Sequence, residues 1–152
     1  MVDQGTYLLI KGVGIDLIRI SRVARACRRR PERFLRRIFS PEEIKILQKK
    51  ANPFPSMAAR FAAKEAVAKA LGCGIGEVKW TELEILPGTK GKPMVFLRGR
   101  ARSWAERYGI KGVEVSMAHD GPYAMAQAVA WGQQGEEKSY TDRRGQLSNY
   151  ND

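Results

Sequence analysis

The chain has 152 residues, 27 basic and 16 acidic side chains, a formal net charge of +11, and two cysteines. This length predicts one domain that can bury a hydrophobic core without the help of disulfides or structural metal ions. The wide spacing of Cys27 and Cys73 does not suggest a disulfide framework or a zinc site. No apolar run is long enough to span a bilayer, and the N-terminal stretch lacks a secretory cleavage pattern. We therefore expect a soluble protein in a reducing intracellular compartment, either the cytoplasm or the mitochondrial matrix.

The positive charge is concentrated in one part of the chain. Residues 19–50 hold nine arginines and three lysines against three glutamates, a local net charge of +9. Residues 132–152 carry a net charge of −1 and add nothing to the excess. A local positive surface predicts an acidic partner, which could be a nucleic acid, an anionic membrane surface or an acidic protein.

The first half of the chain predicts one strand followed by helices. Residues 6–18 are rich in β-forming side chains, and we expect a buried strand that ends near Asp16. Apolar residues at helical spacing, with arginines opposite them, predict a helix over residues 20–30. In the stretch "SPEE", Ser40 as the N-cap and a glutamate three residues later form a capping box, which begins a helix to about Lys50.

The next predicted helix carries its charges in unusual places. After the break "NPFP", Ser56 is expected to cap a helix that runs to Leu71. Four charged residues border its apolar face instead of opposing it: Arg60, Lys64, Glu65 and Lys69. Taken alone, the pattern is typical of a surface helix with one Glu-to-Lys pair, which stabilises by ~0.2–0.5 kcal/mol, and two basic residues with snorkelling stems.

The second half of the chain predicts mostly strands. A hairpin is expected from residues 81–87 and 94–97, followed by a helix over 100–108. Two further strands, 112–119 and 123–131, surround "DGP". This order predicts an α+β fold with antiparallel pairing. The composition turns polar after Trp131, so we expect a domain over residues 1–131 and a disordered tail over 132–152.

Three polar residues stand where packing alone would favour apolar ones. Asp16 follows an apolar strand, Glu65 borders an apolar helix face, and His119, the only histidine, ends a strand. Two carboxylates that meet in a cleft suit Mg²⁺ shared with a phosphate. Each residue alone is more often a turn cap or a satisfied side chain. The "GVG" before Asp16 lacks the full pattern of a phosphate-binding loop.

Five stretches, in this order, resemble the 4′-phosphopantetheinyl transferases, specifically the small holo-acyl-carrier-protein synthase type. They extend over most of the chain to Trp131. The last strands are more similar to those of fungal members, and "SMAH" departs from the commoner pattern at Ala118. The stretches are "GVGIDLIRISRV" (12–23), "RFLRRIFSPEE" (33–43), "RFAAKEAVAKALG" (60–72), "GKPMVFL" (91–97) and "VSMAHDGPYAMAQAVA" (115–130).

The resemblance implies an antiparallel sheet packed by a long helix, and an enzyme that moves 4′-phosphopantetheine from coenzyme A to a serine of an apo acyl carrier protein. Adenosine 3′,5′-bisphosphate would be released, Mg²⁺ would be needed, and the protein would form a homotrimer with its site between subunits. The sequence does not say whether the carrier is a fatty-acid, a mitochondrial or a polyketide carrier. Membrane and nucleic acid are not expected as partners.

The same resemblance assigns residues by their match to the motifs. Asp16 and Glu65 would hold Mg²⁺, and Lys69 would contact the pyrophosphate and the attacking serine. Glu65, Lys69 or a metal-bound water would take the serine proton, and the sequence does not choose among them. The phosphates of coenzyme A would be contacted by Arg60, Lys64 and His119, and Arg22 would dock the carrier.

Two rival interpretations explain part of the pattern. A small basic nucleic-acid-binding protein would account for the arginines of residues 19–30. It gives no reason for Asp16, Glu65 and His119, because acidic groups weaken contacts with a phosphate backbone. A trimeric scaffold without activity would not need the intact motif residues.

Overall fold

Two antiparallel sheets and five α-helices form the computed structural model, which describes residues 7–133. None of the described helices is long and apolar enough to cross a membrane. The predicted α+β class is confirmed. The elements in chain order are β1 (Leu8–Arg19), α1 (Ile20–Arg29), α2 (Pro31–Ile38), α3 (Pro41–Gln48), α4 (Phe54–Leu71), β2 (Leu83–Pro87), β3 (Pro93–Leu97), α5 (Gly99–Arg107), β4 (Ile110–Asp120) and β5 (Tyr123–Gln133).

The larger sheet has three strands in the order β1-β5-β4, and the long helix α4 packs on one of its faces. Successive side chains of a strand point to opposite faces, and the helix-facing positions of β5 are alanines that are fully or almost fully buried: Ala124, Ala126, Ala128 and Ala130. Small side chains let the helix lie close to the sheet. The β2–β3 hairpin forms the second sheet and completes the core beside α4.

Glycines of β1 allow the closest contact between α4 and the sheet. A methyl group at Gly12 would collide with the carbonyl oxygen of Ala70, and one at Gly14 would collide with that of Ala66. Neither glycine has a positive φ, so close approach explains the absence of a side chain there. The "GVG" stretch therefore serves helix packing.

Several sequence predictions need correction at their boundaries. The strand β1 continues past Asp16 to Arg19, so Asp16 lies within a strand. Because β1 is an edge strand with one covered face, its outer apolar side chains are exposed, and the prediction of a buried strand was wrong. The helix α4 begins at Phe54, whose amide donates to the side chain of Asn52, and Ser56 is not its cap.

Other predictions agree with the structure or lie outside it. The capping box of Ser40 and Glu43 is present at the start of α3. The short helix α2 was not predicted, because its arginines and single turn-length apolar pattern resemble a loop. Gly132 and Gln133 belong to β5, and the rest of the predicted tail, residues 134–152, lies outside the described residues.

Candidate functional site

Asp16, Glu65 and Lys69 come together where β1 crosses α4. Asp16 lies on the face of β1 that carries Gly14 and packs on α4, while Glu65 and Lys69 lie one helical turn apart. The Lys69 ammonium donates to the Ile15 carbonyl oxygen at 2.8 Å, and lies 3.3 Å from Asp16 Oδ1. The Lys69 side chain is half exposed, so a ligand in solvent can reach this group.

The electrostatics of this cluster favour a bound cation. Burial raises the pKa of Glu65, the charge of Asp16 raises it further, and Lys69 opposes the shift. Two carboxylates that repel each other in a partly buried position form a site that a cation stabilises. No group of three or more potential metal-ligating side chains occurs among residues 7–133. A pair of carboxylates fits Mg²⁺, which commonly takes one or two protein carboxylates and completes its shell with waters and substrate phosphates.

Arg60 and Lys64, the two predicted phosphate contacts on α4, are not part of this cluster. The Lys64 side chain is completely buried, and its ammonium donates to Glu43 Oε1 at 2.7 Å, to the Trp80 carbonyl oxygen at 3.0 Å and to the Leu83 carbonyl oxygen at 2.6 Å. An ammonium group has three donors. All three are therefore used inside the protein, and the contact of Lys64 with a phosphate stays a prediction.

Arg60 is likewise bonded inside the protein, and its contact with a phosphate stays a prediction. Its guanidinium is buried and donates to the carbonyl oxygen of Ile85 in β2. Burial lowers the pKa of Arg60, and the nearby carboxylate of Glu43 opposes that shift. Of the three cations of α4, Lys69 is the one that is accessible to solvent in this structure, and it lies one helical turn from Glu65.

Arg22 and His119 are both exposed and lie apart from the cluster. Arg22 belongs to α1, on the side opposite the buried Val23 and Cys27. His119 lies near the end of β4 and pairs with Ala124 of β5. Within residues 7–133, neither forms a hydrogen bond or an ion pair with Asp16, Glu65 or Lys69.

Glu43 is the residue whose importance the sequence did not indicate. The pattern "SPEE" identifies it as part of a helix cap. In that role its Oε1 accepts a hydrogen bond from the Ser40 amide at 3.3 Å. The same oxygen binds Lys64, which is 21 residues away in the chain. No local spacing rule connects two such positions. Their pairing is visible only in the structure, where both side chains are fully buried.

Comparison with known proteins agrees with this fold. The profile of the 4′-phosphopantetheinyl transferase superfamily matches residues 12–128. A holo-[acyl-carrier-protein] synthase from Natranaerobius thermophilus is 42% identical over 123 residues, which cover 81% of this chain and 98% of that protein.

Solved structures of holo-[acyl-carrier-protein] synthases have a similar fold. The crystal structure of holo-[acyl-carrier-protein] synthase from Neisseria meningitidis superposes with a TM-score of 0.75 at 36% identity, covering 80% of this chain and 98% of that one. The enzyme of Helicobacter pylori, in complex with coenzyme A, has a TM-score of 0.69 at 32% identity, with coverages of 78% and 98%.

The chain therefore belongs to the 4′-phosphopantetheinyl transferase superfamily. Within it, the similarity is to holo-[acyl-carrier-protein] synthases, so the predicted family, enzyme class and fold are confirmed. The likeness to fungal members stays a prediction.

Proposed function

We propose that this protein transfers the 4′-phosphopantetheine group of coenzyme A to a serine of an apo acyl carrier protein, with Mg²⁺ held by Asp16 and Glu65. Adenosine 3′,5′-bisphosphate is the second product. The observation that carries the proposal is the meeting of two carboxylates and an accessible ammonium at one point of the surface. The known relatives support it, because they are named for this activity.

The chemistry requires a serine oxygen to attack phosphorus while the pyrophosphate bond of coenzyme A breaks. The serine hydroxyl loses its proton, and the leaving phosphate gains negative charge. The half-exposed ammonium of Lys69, beside Asp16, would neutralise that charge. Burial and the charge of Asp16 raise the pKa of Glu65, so its carboxylate is more basic than that of an exposed glutamate and a better proton acceptor. A bound Mg²⁺ would supply further neutralisation of the phosphate oxygens.

Arg22 supports a separate surface for the acidic carrier. The helices α1 and α2 expose seven arginines and the residue between them exposes an eighth, while Val23, Cys27 and Ile38 anchor the helices to the core. Exposed charges of one sign attract an oppositely charged partner and orient it before contact. The exposed arginines are Arg22, Arg25, Arg28, Arg29, Arg30, Arg33, Arg36 and Arg37.

The homotrimer is supported by the uncovered face of the larger sheet. On the side opposite α4, Val13, Ile15 and Leu17 of β1 are each more than half exposed, and Met125 of β5 lies beside Leu17. A contiguous apolar face of this kind marks an interface with another protein. We assign it to further copies of this chain, and light scattering of the purified protein measures the number of copies.

The metal assignment is tested by two substitutions and one control. Asp16→Ala and Glu65→Ala should each abolish transfer at every Mg²⁺ concentration, because each removes a hard anionic ligand. Glu106→Ala removes an exposed carboxylate of α5 and should retain the wild-type rate and its Mg²⁺ dependence. Circular dichroism must show all three variants folded. Near-wild-type activity of either site variant would contradict the metal assignment.

A further inference from the structure

The helix α4 has few side chains that could fix its position by interdigitation. Seven of its 18 residues are alanine, and most of them are fully or nearly buried. It also faces glycines and alanines of the larger sheet. Interlocking of large side chains normally determines how a helix sits on its neighbours. Where alanines of α4 meet alanines and glycines of the sheet, rotation or sliding of the helix loses little packing. Polar contacts supply only part of the restraint, because larger side chains of α4 also pack in the core: Met57, Phe61, Val67 and Leu71.

Directional polar contacts help to fix the position of α4, which the small alanine side chains do little to fix. Lys64 is held at once by α3, by the turn at Trp80 and by β2, through Glu43 and two carbonyl oxygens. Because the three acceptors come from three different segments, they restrain the helix against rotation and against sliding. The next residue along α4 is Glu65, whose carboxylate must face Asp16.

The network is imperfect as a source of stability. Glu43 Oε2 and Arg60 Nε are buried and have no hydrogen-bond partner within residues 7–133. Taking two charges out of water costs free energy that their mutual attraction often does not recover, and apolar replacements of such pairs are frequently as stable. A buried pair with an unpaired oxygen is therefore better explained by what it positions than by what it stabilises.

We propose that the Lys64–Glu43 pair is a positioning device for the transfer reaction, which fixes the rotation of α4 so that Glu65 faces Asp16. This inference rests on the proposed function of the Asp16–Glu65 site. The side chains of Lys64 and Glu43 are both fully buried, so the pair would act on the reaction through Glu65. A displacement of about 1 Å at a catalytic group can lower a rate by about 10²-fold.

The experiment separates positioning from stability with two variants that should respond in opposite ways. Lys64→Met with Glu43→Leu removes both charges but takes a donor from the Trp80 and Leu83 carbonyl oxygens. It should lower the melting temperature less than a variant that breaks the pair from one side. Its kcat should fall at least tenfold, because a displacement of Glu65 by a full ångström would cost about 10²-fold. KM for the carrier, whose proposed docking surface is on α1, should not change. Glu43→Gln keeps the oxygen that accepts from Lys64 but leaves the ammonium without a counter-charge. It should lose thermal stability and retain the kcat of its folded fraction.

The control removes a similar pair that is exposed. Lys45 and Glu42 form an ion pair at 3.1 Å on the surface of α3, and Lys45→Gln with Glu42→Gln should leave kcat unchanged. If the Met/Leu variant does not fold, Lys64→Gln with Glu43→Gln takes its place, because the shorter glutamine cannot reach all three acceptors, and the same loss of kcat is expected.

A folded Met/Leu variant with wild-type kcat would overturn the positioning proposal, as would a fall in kcat that follows stability across the whole series. A wild-type protein without transfer activity would instead contradict the proposed function. The two failures are therefore distinguishable.

Discussion

Gly14→Ala should destabilise the protein and impair the site together, because Gly14 lies directly under α4. The new methyl carbon would collide with the Ala66 carbonyl oxygen and lie 2.9 Å from Cβ of Lys69. Neither group can move aside without moving the helix backbone. Overpacking costs ~1–3 kcal/mol, and rigid neighbours place this substitution near the upper end. The lower entropy of the unfolded alanine chain recovers ~0.4–1 kcal/mol.

The net loss of about 2–2.6 kcal/mol in the free energy of unfolding corresponds to a fall in Tm of ~4–10 °C for a domain of this size. The displaced helix also carries Glu65 and Lys69 away from Asp16, so kcat should fall in the fraction that remains folded.

Gly74→Ala is the matched control for this substitution. The φ of Gly74 is not positive, and its new methyl would meet only the side chain of Glu77, at 3.6 Å. Its Tm should stay the same or rise slightly, because the substitution restricts the unfolded chain without a clash. Thermal unfolding followed by circular dichroism measures both variants. If the two differ by less than about 2 °C, the close approach of β1 and α4 does not constrain position 14 as argued.

Two further predictions use the electrostatics of the site and of the docking surface. Burial and Asp16 raise the pKa of Glu65 in the folded state, so protonation there favours folding, and that contribution is lost as the pH rises through the folded pKa. Relative to the wild type, Glu65→Gln should therefore raise Tm at pH 7–8 but not below the usual glutamate pKa of about 4.3, and it should abolish transfer. An equal difference in Tm between variant and wild type at both pH values would contradict this. Arg22→Glu should raise KM for the carrier at low salt and raise it less at high salt, because exposed charges are screened over ~8–10 Å at 0.1–0.15 M. KM for coenzyme A should stay constant. Steady-state kinetics in which KM for coenzyme A rises and KM for the carrier does not would refute the docking assignment.

The sequence predicted those features that depend on neighbouring residues. The capping box at Ser40 and the strands and helices of the second half follow from local spacing and composition. The pairing of Asp16 with the α4 motif came from the family resemblance, and the structure does bring Asp16 to Lys69.

What the sequence did not predict depends on contacts between distant segments. Periodicity placed Lys64 and Arg60 at the edge of an apolar face, but it could not show that α3 and β2 cover that edge. A charged residue at such a border is solvated or buried according to what packs over it, and this depends on the tertiary fold. The exposed apolar face of β1 was likewise predicted to be buried, because an apolar run does not distinguish a core strand from an interface strand.

The most direct test of the account is mass spectrometry of an apo acyl carrier protein incubated with this protein, coenzyme A and Mg²⁺. The account predicts that the carrier gains one phosphopantetheine group on a serine, that adenosine 3′,5′-bisphosphate appears in equal amount, and that Glu65→Ala prevents both. A carrier in which that serine is replaced by alanine should remain unmodified. An unmodified carrier in the presence of the folded wild-type protein, or full modification by the Glu65→Ala variant, would contradict the account.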